Sequence, residues 1–285
     1  MSQTINNPLS KHFRQPKLYI RLPSDGNFYA AGALQMTENR EFPVFAMTAK
    51  DELMFKTPDA LLNGQSTVQV IQSCIPNIKN AWAIPSIDID AILIAIRIAT
   101  YGEKMDITVT VPELKEERTF EVDLRVVLDQ LINSEYENII AHEDFLFEIS
   151  PMSYKRFTDI ALKTFEEQRL FRVVNDDSLS ESEKLAKFNE SFSRLTEINI
   201  SNIINSVVAV KFGDDDAVTN KEYIKEFFEN ADRDVYKSIL VHIDKQREKF
   251  SVKPFKARLG QEDQARGAPE TIEVPITFDQ SNFFA

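Results

Sequence analysis

The sequence predicts an α+β protein: a mixed N-terminal body of short antiparallel strands around a central apolar helix, a mainly helical C-terminal half, and extended arms at both ends. Three observations carry this. Segments near Lys17, Asp106 and Arg118 alternate apolar and polar residues with the period of a half-buried strand. The run from Ile87 to Ala99 is apolar on nearly every face, as in a helix at the centre of a domain. From Leu185 onward apolar residues return at spacings of three and four, the period of an amphipathic helix. The organisation that follows is an arm over 1–16, an α+β domain over 17–150, a helical region over 151–250, and a C-terminal arm with a short strand over 251–285.

The first 16 residues are polar, contain Pro8 and Pro16, and show no periodicity. Lys17–Leu22 alternates as a strand, and Pro23, Ser24, Asp25 and Gly26 supply its tight exit. Phe28 and Tyr29 restart the apolar pattern, and Phe42–Phe45 returns as a third short strand. Thr48 and Asp51 have the spacing of a capping box, with Asp in place of the usual Glu, ahead of Leu53, Met54 and Phe55. Pro58 opens a further helix that stops at Asn63-Gly64, and Ser66–Ile75 forms another that Pro76 ends. Ser86 is placed to cap the central helix, with Asp88 and Asp90 in its first turn facing the positive end of the dipole.

Asp106–Val111 and Arg118–Val122 alternate on either side of the polar link PELKEE, the pattern of a β-hairpin. A short helix over Leu124–Ile132 and a strand over Asp144–Ile149 follow. Ser153–Arg172 is amphipathic, with Phe157, Ile160, Ala161, Thr164, Phe165 and Leu170 along one stripe. The polar run Asp176–Glu183 reads as a linker. A long helix then carries Leu185, Phe188, Phe192, Leu195 and Ile198 and runs on toward Val208. Lys221–Lys249 is a second helical stretch, with a break near Asp232. Past Ser251 the chain turns basic and polar, then alternates once more over Thr271–Phe278.

Composition narrows the function classes. Hydrophobic residues make up 43% of the 285 residues and 21 are Phe, enough for a substantial core. Forty-five acidic residues outnumber 33 basic ones, for a net charge of -12. Such a surface repels phosphate backbones, which argues against direct nucleic-acid binding. Cys74 is the single cysteine, so neither an internal disulfide nor a multi-cysteine zinc site is available. Its solitude fits synthesis in a reducing cytoplasm. The N-terminal stretch lacks the apolar centre of a signal peptide, and no uninterrupted apolar run reaches the roughly 18 residues of a membrane span.

The chemistry-bearing residues are scattered. His12, His142 and His242 stand far apart, and none has a second ligand at metal spacing. Asp214, Asp215 and Asp216 lack the alternating oxygens, central Gly and terminal Glu of a calcium loop, so a solvated turn between helices is expected. No nucleophile elbow, zincin, phosphate-loop or dinucleotide motif occurs. No catalytic, cofactor-binding or metal residue is therefore assigned. The apolar residues Ile272, Val274, Ile276, Phe278, Phe283 and Phe284 lie in a segment unlike a core, and are the candidate partner contacts.

Four segments carry a resemblance: RLPSDGNFY (Arg21–Tyr29), FPVFAMTAKDELMF (Phe42–Phe55), LLNGQSTVQVIQSCIPN (Leu61–Asn77) and WAIPSIDIDAILIAIRIATYGEKM (Trp82–Met105). In order and spacing they resemble the baseplate hub and hub-assembly proteins of T-even-type contractile-tailed bacteriophages. The resemblance covers Lys17 to about Pro151 and the rest only loosely. It implies a non-enzymatic structural protein of the tail baseplate hub, assembled in the host cytoplasm in several copies and bound to hub and tail-tube proteins; the ends of this chain suggest binding through an apolar body surface and extended arms. Several members of that family carry a CxxC pair in the hairpin; here Val111 and Leu114 take the aligned positions, which implies apolar packing and no zinc. Two other readings stay open: an assembly chaperone absent from the mature virion, and a metal-dependent enzyme using Asp88, Asp90 and Asp214–Asp216.

Overall fold

The computed structural model describes residues 9, 12–55, 64–173 and 180–277. Two short strands, β1 (Pro16–Ile20) and β2 (Phe42–Phe45), pair antiparallel and open the fold. Among the described residues, helices α1 (Ala49–Phe55), α2 (Gln65–Cys74) and α3 (Ser86–Tyr101) follow. The helix expected from Pro58 lies outside the described residues. Thr48 and Asp51 form the capping box, with the Thr48 N–H and hydroxyl donating to one Asp51 oxygen at 2.8 and 2.7 Å.

Helix α3 is the axle of the main core. Ala91, Ile92, Ile94, Ala95 and Ile96 are completely buried, against Val70, Ile71 and Ile75 of the α2 region and Phe42 and Val44 of β2. Its start departs from expectation. Ser86 is the first helical residue, not the cap; Pro85 precedes the helix, and the Ser86 N–H donates to the Met152 carbonyl at 2.7 Å. Proline supplies no capping side chain, so this helix start is tied down by the chain segment at 152–154. Gly102, at φ +95°, ends the helix with its N–H on the Ile98 carbonyl.

The hairpin of β3 (Lys104–Val111) and β4 (Glu116–Asp123) pairs in full register, and Asp123 caps α4 (Leu124–Ile132) by accepting from the Arg125 N–H. Phe28–Tyr29 forms no strand. Asp25, Gly26 and Phe28 all take positive φ, at 52°, 79° and 67°, coiling the segment into consecutive turns.

A second core lies beyond α4. Strands β5 (Ile139–His142), β6 (Phe145–Ile149) and β7 (Val207–Phe212) form an antiparallel sheet in the order β5-β6-β7. Helices α5 (Tyr154–Val173) and α6 (Glu181–Ser206) leave and return between β6 and β7. Strand β7 begins where the sequence suggested more helix: Val207, Val208 and Val210 are β-branched, and Val207 and Val210 pair with Ile149 and Phe147 of β6. Ser180 and Glu183 close a complete capping box that starts α6 inside the expected linker. The break at Asp232 separates α7 (Lys221–Asn230) from α8 (Arg233–Lys249). Phe147, Ile149, Ile203, Ile204, Val207, Ile224 and Ile239 make up this core, with Phe145, Phe227 and Phe228 at its edge.

Residues 251–277 return along the first body as β8 (Phe255–Arg258), α9 (Gln261–Ala265) and β9 (Thr271–Val274), with β8 and β9 paired antiparallel.

Candidate interaction surfaces

The four segments that carry the resemblance are joined in the fold by polar contacts. Asp88, wholly buried, accepts from the Ser24 N–H at 2.7 Å, the Ser24 hydroxyl at 2.6 Å and the Tyr29 hydroxyl at 2.9 Å. This fastens the Arg21–Tyr29 turn onto the first turn of α3. Asp51 accepts from the Ser73 hydroxyl at 3.0 Å and faces Arg14 at 3.5 Å, while Arg14 also donates to Ser73 and to the Ala46 carbonyl. The Met47 N–H reaches Thr100 at 3.0 Å, and the Ser66 hydroxyl reaches the Met54 carbonyl at 3.0 Å. These side chains hold secondary structure together.

Their electrostatics follow from burial. Desolvation pushes the Asp88 carboxyl up to about 6, with the Ser24 and Tyr29 hydrogen bonds pulling it back. Asp90 also rises to about 6 through burial, against one bond from the Val252 N–H. Burial, with the Asp88 charge added, raises the Tyr29 phenol far above its usual value. Burial pushes the Cys74 thiol up to about 12. Asp214, Asp215 and Asp216 sit exposed on the turn between β7 and α7, on the second core. Among the described residues no three His, Cys, Asp or Glu side chains are grouped to hold a metal ion.

The hairpin tip is packed with apolar groups. Val111 is fully buried against Leu259 and Ala268, with Leu114, Phe120 and Ile272 around them. Arg118 clasps Asp263 at 2.6 and 3.0 Å, and Arg266 clasps Glu116 at 2.5 and 3.0 Å. Of the C-terminal candidates, Ile272 is thus partly buried in this cluster. Val274 is completely buried, and Ile276 packs into the main core. Phe278, Phe283 and Phe284 lie outside the described residues.

Two surfaces stand open. An open groove of about 900 Å³ runs between the Arg21–Phe28 turn and the 132–138 link, with Arg21, Asp25, Asn27, Asn133, Glu135 and Tyr136 on its walls. Phe28 meets Tyr136 edge-on at 5.3 Å across this junction of the two cores. The second surface is the α5–α6 pair. Phe157, Phe165, Leu185 and Phe192 are 50%, 57%, 61% and 60% exposed. Their three-and-four spacing suits either a core or a helix-helix contact. It fixes which residues share a face, but not which molecule covers them. Among the described residues no helix is long and apolar enough to cross a membrane.

A family model described as T4 bacteriophage base plate protein matches residues 20–255. That span holds all four resemblance segments, most of the main core, the second core and the α5–α6 pair, and stops at the first residue of β8. No curated protein and no solved structure matches.

Proposed function

We propose, because this chain belongs to the family of T4 bacteriophage base plate proteins, that it is a structural component of the baseplate hub that works by binding its neighbours and carries no catalytic site. The family match over residues 20–255 carries this reading. A place in the phage tail baseplate, among other baseplate proteins, follows from membership; the hub assignment is the finer step. It rests on the four segments between Arg21 and Met105, whose polar residues serve the fold.

The physical account is a rigid body with binding faces. Buried carboxylates and an isoleucine-rich helix fix the body, and the groove beside Phe28 presents a mixed polar wall to a neighbour. Val274 at the end of β9 and nearby Ile276 are buried in the body, and Phe278, Phe283 and Phe284 come next in the sequence. We assign them to a hub or tail-tube partner.

The test is co-sedimentation. A tagged copy expressed during infection should travel with hub intermediates on a gradient, and removal of residues 278–285 should weaken that association. Migration only as the free chain throughout assembly would overturn the hub reading. Association with hub intermediates but absence from finished tails would replace it with an assembly chaperone.

A further inference from the structure

Helices α5 and α6 are 20 and 26 residues long, so they span about 30 and 39 Å at the helical rise of about 1.5 Å per residue. Among the described residues, polar bonds join them: Arg194 donates to Glu167 at 2.7 Å, and the Ser191 hydroxyl donates to the same carboxylate. Among the described residues between Lys155 and Asn202, none belongs to any of the three apolar clusters. Apolar side chains are instead turned outward, with Phe157 and Phe165 on α5 and Leu185 and Phe192 on α6. Phe188 stacks on Phe192 at 6.5 Å, extending the seam. Leu185, Phe188, Phe192 and Leu195 follow the three-four-three spacing of a helix that packs on another helix.

Charge indicates the occupant. Residues 154–206 contain eight Lys and Arg against nine Asp and Glu, a net of -1 within a chain of -12. The remaining residues therefore carry -11, and two copies meeting through them would repel. The helical pair is the long element where copies can approach at little electrostatic cost. Its interspersed charges can pair across a two-fold axis, as an isologous contact requires. Two such helix pairs, each with one uncovered apolar face, complete a four-helix bundle.

We propose that the α5–α6 pair is a self-association face that joins two copies of this chain, a contact that does not rest on the baseplate reading. Phe165, Leu185 and Phe192 are its central residues.

The experiment is sedimentation velocity on the full chain at concentrations up to roughly 100 µM, enough to populate any dimer with a tighter dissociation constant. The wild-type protein is expected at twice the 32.7 kDa chain mass. Phe192→Glu should weaken the dimer by roughly 30-fold or more, the effect of a central interface residue, with an unchanged circular dichroism spectrum. Phe165→Glu provides a second disruption on the other helix, should the first variant misfold. Val241→Glu, at an exposed position on α8, should leave the dimer intact. A monomeric wild type across the range overturns the proposal, as does a dimer indifferent to both glutamates or broken equally by Val241→Glu. Since purified chain alone is used, failure here leaves the hub assignment standing.

Discussion

Replacing Asp88 by Asn isolates the cost and the benefit of the carboxylate that fastens the Arg21–Tyr29 turn. The group is wholly buried and holds three donors at 2.6 to 2.9 Å. Its carboxyl titrates near 6 in the folded chain against an ordinary 3.8. At roughly 1.4 kcal/mol per tenfold, ionised Asp88 therefore costs the folded state about 3 kcal/mol at neutral pH. The sign follows from a raised acid: its stabilising contribution is fully present below 3.8 and is lost as pH rises through about 6. Between pH 7.5 and 4.5, wild type should gain about 2 kcal/mol relative to the variant by this linkage. Asparagine keeps one acceptor for the Ser24 N–H, and both hydroxyls can rotate to accept from its amide. Asp88→Asn is thus expected to match or exceed wild-type stability at pH 7.5 and to lose that standing by pH 4.5. Urea unfolding of both proteins at the two pH values reads the difference directly. A difference independent of pH, or a variant less stable by about 3 kcal/mol at pH 7.5, would refute the reasoning, since buried charged partners lost without compensation cost about that much.

Other consequences are open to direct measurement. Ile94→Ala, in the fully buried centre of α3, should cost about 2–5 kcal/mol in chemical denaturation, the range for a large-to-small core change. Leu259→Ala should cost about 2–4 kcal/mol and speed amide exchange across the β3–β4 hairpin that it covers; unchanged exchange there would remove the C-terminal segment's role in holding that hairpin. Removing residues 260–285 deletes Val274 and Ile276 from the core, so it should lower the melting temperature sharply. Cys74, completely buried with its thiol pushed up to about 12, should resist a thiol reagent at pH 8 until the protein is unfolded.

What the sequence made legible was local. The apolar run in α3, the Thr48–Asp51 box, the β3–β4 hairpin and the break at Asp232 each rest on neighbours within a few residues. What it hid was long-range. Asp88 read as a dipole partner because its true partners, Ser24 and Tyr29, lie 64 and 59 residues away. Strand β7 followed an apolar helix without a breaker, and only pairing with β6 decides between the two periods there. The polar stretch around β8 hid Leu259, whose burial depends on the distant hairpin. The outward face of α5 and α6 was left open for a related reason. Spacing defines a stripe, and the stripe looks the same whether it meets its own chain or another.

The central claim, that this protein is a permanent structural part of the phage tail baseplate hub, is tested most directly by quantitative mass spectrometry of purified phage particles. Its peptides should appear at a small fixed ratio to hub proteins and well below the tail-tube protein. Absence from particles in which the hub proteins are fully recovered would contradict it.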